Sequence, residues 1–208
     1  MKAQTISIFF TSLLTCLSCY GQDAPEATEK ELSKQHPLIE AKVGYFFFTD
    51  SDMNKVYDQG GIDVQLSGSY PLYKFLHVYG SVEYLEKSGY SQGMHEKTSL
   101  WEIPLSLGLR SVFPIGNYVD YYLSIGPRYF LVYAHNESSY VPKHMQANGC
   151  GGFANTGFLF ILPKNFTIDL FGEYSYKTLH FHNTKTGAHG HTVQVGGLTF
   201  GGGIGYSF

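Results

Sequence analysis

The chain is short of charge. Asp, Glu, Lys and Arg together make up 15% of it, against about 25% in an average soluble domain. The charges nearly balance, at a formal net −3. There is no basic footprint, which excludes nucleic acid as a partner class. Cysteine is scarce as well. Cys16 and Cys19 lie in the N-terminal apolar stretch and Cys150 stands alone beyond it, so no intrachain disulfide framework can form. Long apolar runs are also missing. The best stretch, Ile6 to Leu17, is shorter than the roughly 20 residues a membrane helix needs. A mean hydropathy of −0.12 is too polar for a helical membrane protein. What is plentiful is aromatic residues, at 16%, with 24 glycines and 17 tyrosines. Few charges, many aromatics and middling hydropathy suit a structure with one apolar face and one polar face.

The N-terminus reads as a cleavable export signal over residues 1–21. Lys2 supplies the positive end, Ile6 to Leu17 the apolar centre, and Cys19 and Gly21 the small residues before cleavage at Gln22. An uncleaved anchor fits less well. Acylation at Cys19 or Cys16 also fits poorly: Cys16 occupies the position three before Cys19 where leucine is usual, and the bulky Thr15 precedes Cys16. Residues 22–37 are polar, include Pro25 and Pro37, and read as a periplasmic linker.

From Leu38 the chain alternates with period two, the strand signature. Ile39, Ala41, Val43, Tyr45 and Phe47 alternate with Glu40, Lys42, Gly44 and Phe46. Similar segments run from Ile62, from Leu76 and from Trp101. The clearest sets Trp101, Ile103, Leu105, Leu107 and Leu109 against Glu102, Pro104, Ser106, Gly108 and Arg110. A fifth runs over Asp120 to Tyr133. A sixth, Gly152 to Leu162, is ambiguous because both faces become apolar near its end. A seventh spans Ile168 to Lys177. The last runs from Thr192 to Phe208, where Val193 and Val195 fall out of phase with Leu198, Phe200 and Ile204; this predicts a bulge near Gly196-Gly197. Eight strands of this length suit residues 38–208 as an all-β domain, an eight-stranded antiparallel transmembrane β-barrel. It must close, since an open edge in lipid leaves backbone groups unpaired.

The connections alternate in length. Three are tight, each opening with proline: Pro71-Leu72-Tyr73-Lys74, Pro114-Ile115-Gly116-Asn117 and Pro163-Lys164-Asn165. Four are long and polar: Thr49 to Gln59, Glu86 to Lys97, His135 to Asn148 and Thr178 to His191. Short periplasmic turns and longer external loops are the asymmetry expected of outer-membrane barrels. A soluble lipocalin-like barrel is the competing fold. It would put its apolar face inward and its charges outside, and the tyrosines near strand ends fit membrane-interface girdles better.

Three segments carry a resemblance. Tyr206-Ser207-Phe208, with a terminal Phe and an aromatic two places earlier, looks like the C-terminal signal read by the outer-membrane assembly machinery. Ser124-Ile125-Gly126-Pro127-Arg128-Tyr129 and Leu162-Pro163-Lys164-Asn165-Phe166-Thr167-Ile168-Asp169 resemble small OmpA/OmpW-like barrels. The likeness covers Leu38 to Phe208. It implies an outer-membrane location in a Gram-negative-type cell after export, with outer-membrane lipids and the assembly machinery as partners and no cofactor. The peptidoglycan-binding domain of OmpA is not expected here, so that anchoring role is not carried over.

The polar face holds Glu40, Lys42, Asp63, Glu83, Glu102, Arg110, Asp120, Arg128, Asp169, Glu173 and Lys177. Eight strands leave an interior just wide enough for side chains to fill, so these residues read as a plug of ion pairs. A narrow ion or solute path is the alternative. Glu102 and Glu173 do not make a catalytic pair, because nothing in the sequence sets their distance. His180-x-His182 puts two rings on one strand face, and His189 and His191 follow; a metal needs three or four rigid ligands, so a solvated cluster is expected and no metal site. A lipid A-modifying enzyme could draw on Glu137, Ser138, Ser139, His180 and His182, yet no signature stands out. The expected role is therefore non-enzymatic, structural or surface-interacting, with the external ligand left open. The glycines Gly151-Gly152 and Gly201-Gly202-Gly203 have no helix following, so they belong to strand approach and curvature.

The resemblance implies that Tyr206 and Phe208 are read before folding is complete, so deleting Phe208 is expected to lower the amount of folded protein in the outer membrane. Quantifying surface levels against the unmodified chain checks this; equal levels would exclude the signal.

Overall fold

The computed structural model describes residues 36–50, 60–90, 97–136, 144–180 and 192–208. The export signal and nearly all of the linker lie outside the described residues. β1 (Leu38–Phe48), β2 (Gly61–Tyr73), β3 (Leu76–Tyr90), β4 (Lys97–Pro114), β5 (Val119–Asn136), β6 (His144–Ile161), β7 (Phe166–His180), β8 (Thr192–Val195) and β9 (Gly197–Ser207) follow in chain order. Each pairs antiparallel with its neighbour. β9 lies between β7 and β1, and β6 pairs with both β5 and β7, so the sheet closes. β8 and β9 form one wall strand interrupted at Gly196, which gives the eight-stranded barrel.

The register sets the dimensions. Followed across the ladders from Leu38 through Ser69, Tyr79, Gly108, Gly126, Phe153, Ser175 and Gly197, it returns to β1 at Phe48. Leu38 and Phe48 stand ten residues apart on one strand, a shear of ten. Shear and strand number together fix a tilt of about 35–45° and an interior that side chains fill.

The alternation decides which face meets what. In β1 the pattern is strict: Ile39, Val43, Tyr45 and Phe47 are exposed, and Glu40, Lys42, Phe46 and Phe48 are buried. In β4 Leu105, Leu107 and Leu109 are exposed and Glu102, Ser106 and Arg110 are buried. A soluble barrel would show the reverse. Here the apolar face is outside and the charged face inside, as a lipid-embedded barrel demands. The ambiguous β6 resolves the same way, with Phe158 and Phe160 outward and Phe153, Asn155 and Leu159 inward. Aromatics ring the outside at the end that carries the short turns, with Phe75, Phe113 and Tyr121 in successive ring contact. Tyr206 packs against Phe166 and Phe208, with centroids 5.4 and 5.1 Å away. Phe208 N donates to Pro37 O at 3.0 Å, tying the two ends of the barrel domain together at that rim.

Three local expectations need correction. Neither Pro71 nor Pro114 opens its turn. Pro71 pairs with His77 inside β2, the register shifts between Pro71 and Tyr73, and the chain reverses at Lys74, whose φ is 43°; Pro114 pairs with Asp120 as the last residue of β4. The expected bulge is a break without an inserted residue. Gly196 has φ 130°, yet Lys177↔Val195 and Tyr174↔Leu198 keep one register on either side. There Thr49 Oγ1 donates to Gly196 O at 3.1 Å and Gln194 N donates to Asp50 Oδ2 at 3.0 Å, replacing ladder bonds beyond the end of β1. Finally, the strands run further into three of the four long connections than hydropathy indicates. β3 continues to Tyr90, β4 begins at Lys97 and β6 at His144. Backbone pairing continues beyond the apolar belt, but the apolar/polar contrast between the faces, the only strand signal in the sequence, fades there.

Leu107 faces outward at mid-strand and is 63% exposed. A Leu107→Trp variant with Trp101→Phe, folded into bilayers carrying quenchers deep in the acyl chains, is expected to lose much of its fluorescence. An unquenched indole would take this strand out of lipid.

Candidate functional site

Nine of the eleven charged residues expected on the inner face are buried: Glu40, Lys42, Asp63, Glu83, Glu102, Arg110, Arg128, Asp169 and Glu173. They fall into two layers stacked along the barrel axis.

The layer nearer the short turns is balanced. Arg110 Nη1 lies 2.7 Å from Glu40 Oε2. Lys42 Nζ lies 3.3 Å from Glu40 Oε1 and 2.5 Å from Asp169 Oδ2. Tyr122 OH donates to Asp169 at 2.9 Å, Ser67 Oγ donates to Glu40 at 3.2 Å, and Arg110 Nε donates to Ser124 Oγ at 3.0 Å. The Arg110 guanidinium stacks between the rings of Tyr79 and Tyr122, 4.3 Å from each centroid, a cation–π arrangement strengthened by desolvation. The last wall strand makes room for this layer. Gly201, Gly203 and Gly205 take three successive inward positions of β9, and a Cβ on Gly203 would lie 2.8 Å from Lys42 Cγ. Lys42 on β1 thereby reaches Asp169 on β7 across a strand that has no inward side chains at this level.

The second layer is acidic. Arg128 is shared between Glu83, at 2.5 Å, and Glu173, at 2.6 Å, and its Nε donates to Ser106 Oγ at 2.8 Å. Gln65 Nε2 donates to Glu83 at 2.8 Å and Asn155 Nδ2 to Glu173 at 2.9 Å. Asp63 and Glu102 are buried in the same half, and neither forms an ion pair among the described residues. Glu102 Oε2 has no hydrogen-bond partner there. Glu173 is bound to Arg128 and Asn155.

Apolar side chains close the charged column toward the long connections, where Phe46, Phe48, Leu85, Leu100, Phe130 and Val132 cluster. A second cluster, Leu38, Tyr122, Leu159 and Phe171, runs from the short-turn end into the balanced layer, where Phe171 and Tyr122 pack against Lys42. Arg110, Tyr79, Tyr122, Ser124 and Asp169 have no accessible surface, so no water-sized void touches them.

Two expected members fall outside the network. Asp120, at the second position of β5, is half-buried and forms no ion pair among the described residues. Lys177, near the rim that carries the long connections, turns its Nζ to Cys150 O at 2.7 Å and not into the column. Both have inward parity, but near a strand end a side chain can reach water, and burial is lost. Reading charges alone missed Tyr79, Tyr122, Gln65 and Asn155, which satisfy the arginines and carboxylates; their place on the charged face of the same alternation was the available signal. Among the described residues no His, Cys, Asp and Glu group is arranged to hold a metal ion. His182, His189, His191, Glu137, Ser138 and Ser139 lie outside the described residues.

No protein-family model and no curated protein matches the chain. Solved structures do. Neisserial surface protein A is 17% identical, with 83% of this chain and 97% of that chain covered and a TM-score of 0.54. Ail, the attachment invasion locus protein of Yersinia pestis, solved with the heparin analogue sucrose octasulfate, is 17% identical over 82% and 98%, with a TM-score of 0.53. Outer membrane protein W of E. coli is 10% identical over 85% and 100%, with a TM-score of 0.54. At these identities the likeness shows the fold, that of a small eight-stranded outer-membrane barrel.

Removing one partner of a buried ion pair costs about 3–5 kcal/mol, because the other charge is left uncompensated. Arg110→Met is expected to destabilise the folded barrel by about that amount. Arg110→Met with Glu40→Gln is expected to recover much of the loss, since Lys42 keeps Asp169. Urea unfolding in lipid vesicles measures both; a double variant as unstable as the single one would show that charge pairing is not what holds this layer.

Proposed function

We propose that this chain is a non-enzymatic outer-membrane protein whose barrel is a sealed anchor and whose role is carried by its external surface. The observation that carries the reading is the filled lumen: two layers of buried ion pairs, capped toward the long connections by an apolar cluster. An ion crossing it would have to displace fully buried guanidinium groups from their carboxylates, an uphill step of several kcal/mol per broken pair. That argues against the narrow pore. The apolar outer face commits the wall to lipid, which leaves only the two ends free for chemistry.

On this reading residues 1–21 direct export and are removed, residues 22–37 remain in the periplasm as a linker, and Tyr206 and Phe208 guide assembly. The short turns at Lys74, Ile115–Tyr118 and Pro163–Asn165 face the periplasm. The four long connections face outward, with the rims of β3 to β8 beneath them. The complex of Ail with a heparin analogue supports the view that a barrel of this shape can present a binding surface.

Planar-bilayer recordings of the purified protein test the sealed lumen. Insertion without channel steps is expected. Regular single-channel steps in most insertions would replace this reading with the pore.

A further inference from the structure

The barrel wall is not fully paired at the rim of the long connections. β5 and β6 pair without interruption from Val119↔Phe160 to His135↔His144. On its other side β6 pairs with β7 only from Ile161↔Thr167 to Gly152↔Tyr176. His144–Gly151 therefore have a paired edge toward β5 and, among the described residues, an unpaired edge toward β7.

The direction of each backbone group follows from the alternation. Ile161 N donates toward the β5 side, to Tyr118 O at 2.8 Å. Odd residues of β6 thus turn their main chain to β5, and even residues turn theirs to β7. Lys177 Nζ, coming from β7, meets Cys150 O, in agreement. His144, Gln146 and Asn148 each present both N–H and C=O on the open side, and Cys150 presents its N–H. The outer side chains beside them, Gln146, Asn148 and Cys150, are exposed and uncharged. No lysine or proline within β6 itself blunts this edge, the usual protection of a free strand. At the throat of the opening the Lys177 ammonium bonds one neutral carbonyl and forms no ion pair among the described residues.

We propose that this β6 edge is a docking site for an extended segment of an external protein, taken up by strand addition, with an acidic side chain of that segment meeting Lys177. Main-chain pairing supplies the affinity in this mode of recognition. The lone ammonium supplies charge complementarity and sets how far the segment slides toward the membrane. The proposal deepens the surface-interaction reading and rests on it.

The full chain in lipid nanodiscs can be tested with a fluorescent heptapeptide of alternating threonine and valine that ends in glutamate. Fluorescence polarisation is expected to show saturable binding, abolished when alternate amides of the peptide are N-methylated. Gln146→Pro with Asn148→Pro is expected to weaken binding at least about ten-fold. These prolines remove only donors on the open side, leaving the β5 ladder intact, and circular dichroism of the variant verifies the fold. Lys177→Gln is expected to weaken binding several-fold and to remove its salt dependence. Amide exchange adds an independent readout: the N–H groups of Gln146 and Asn148 should exchange fast in the free protein and slowly with peptide bound. Slow exchange in the protein alone would mean that the chain or a second copy already fills the edge, which overturns the proposal. So would absence of saturable binding, or equal binding by the proline variant. Because conductance is read separately, a sealed barrel that takes no peptide overturns this inference and leaves the anchor reading standing.

Discussion

The antiparallel ladder between Leu38–Phe48 and Gly197–Ser207 joins the first strand to the last and turns a sheet into a barrel. In water an unjoined edge would be hydrated at little cost. In lipid each unpaired N–H or C=O costs several kcal/mol, so closure is the condition for every other contact. It also fixes the geometry within which those contacts form. A shear of ten on eight strands leaves an interior that side chains can fill. Polar groups forced inward by the period-two pattern must then satisfy one another. The glycines on the inner side of β9 belong to this constraint: the closing strand contributes backbone and little bulk, and Lys42 spans the space it leaves to reach Asp169.

The lumen is held by specificity more than by gross Coulomb energy. Burying charge is expensive, and a buried ion pair often repays little more than its desolvation. What the two arginines contribute is geometry. Arg110 meets Glu40, Ser124 and two aromatic faces, and Arg128 meets Glu83, Glu173 and Ser106. These partners come from six different wall strands: β1, β3, β4, β5, β6 and β7 if Asn155, which holds Glu173, is included. A one-residue slip of any strand would send its share of the network into lipid. The ion pairs therefore lock the register that closure requires, while the apolar cluster toward the long connections keeps water on that side from competing for the same hydrogen bonds.

Much of this was legible in the sequence because the two faces of a lipid-embedded barrel differ as sharply as any in proteins. Leu105, Leu107 and Leu109 against Glu102, Ser106 and Arg110 is a pattern that only an apolar outside and a polar inside explain. Legibility ends where the contrast between the two faces fades. β6 looked ambiguous because Leu159, an inward residue, is as apolar as the outward Phe158 and Phe160; it belongs to the apolar cluster that runs in from the short-turn end. The strand extensions at Ser88 to Tyr90, Lys97 to Leu100 and His144 to Gly151 show little apolar/polar contrast, although their backbones pair. Charge was a good guide to the lumen only in mid-strand: Asp120 and Lys177 have the right parity but sit near strand ends, where a side chain can reach water. The neutral partners Tyr79, Tyr122, Gln65 and Asn155 were hidden because residue type alone does not mark them as network members. Their position does.

The division of labour in the molecule follows from the same physics. The outer wall is committed to lipid and the lumen to its own ion pairs, so neither can recognise a partner without cost to the fold. The turn end is built from three short reversals, two of them carrying residues with positive φ at Lys74, Lys164 and Asn165, and offers little surface that can vary. The other rim is different. There the strands outrun the apolar belt, the backbone remains ordered by pairing with β5, and substitutions face neither lipid nor the packed column. Function placed at that rim can change while the closing ladder, the register and the lumen network stay as they are. Gln146 and Asn148 illustrate this: their side chains are exposed, their open-side amides lie outside the ladder that holds β6 to β5, and altering them asks nothing of Arg110 or Arg128.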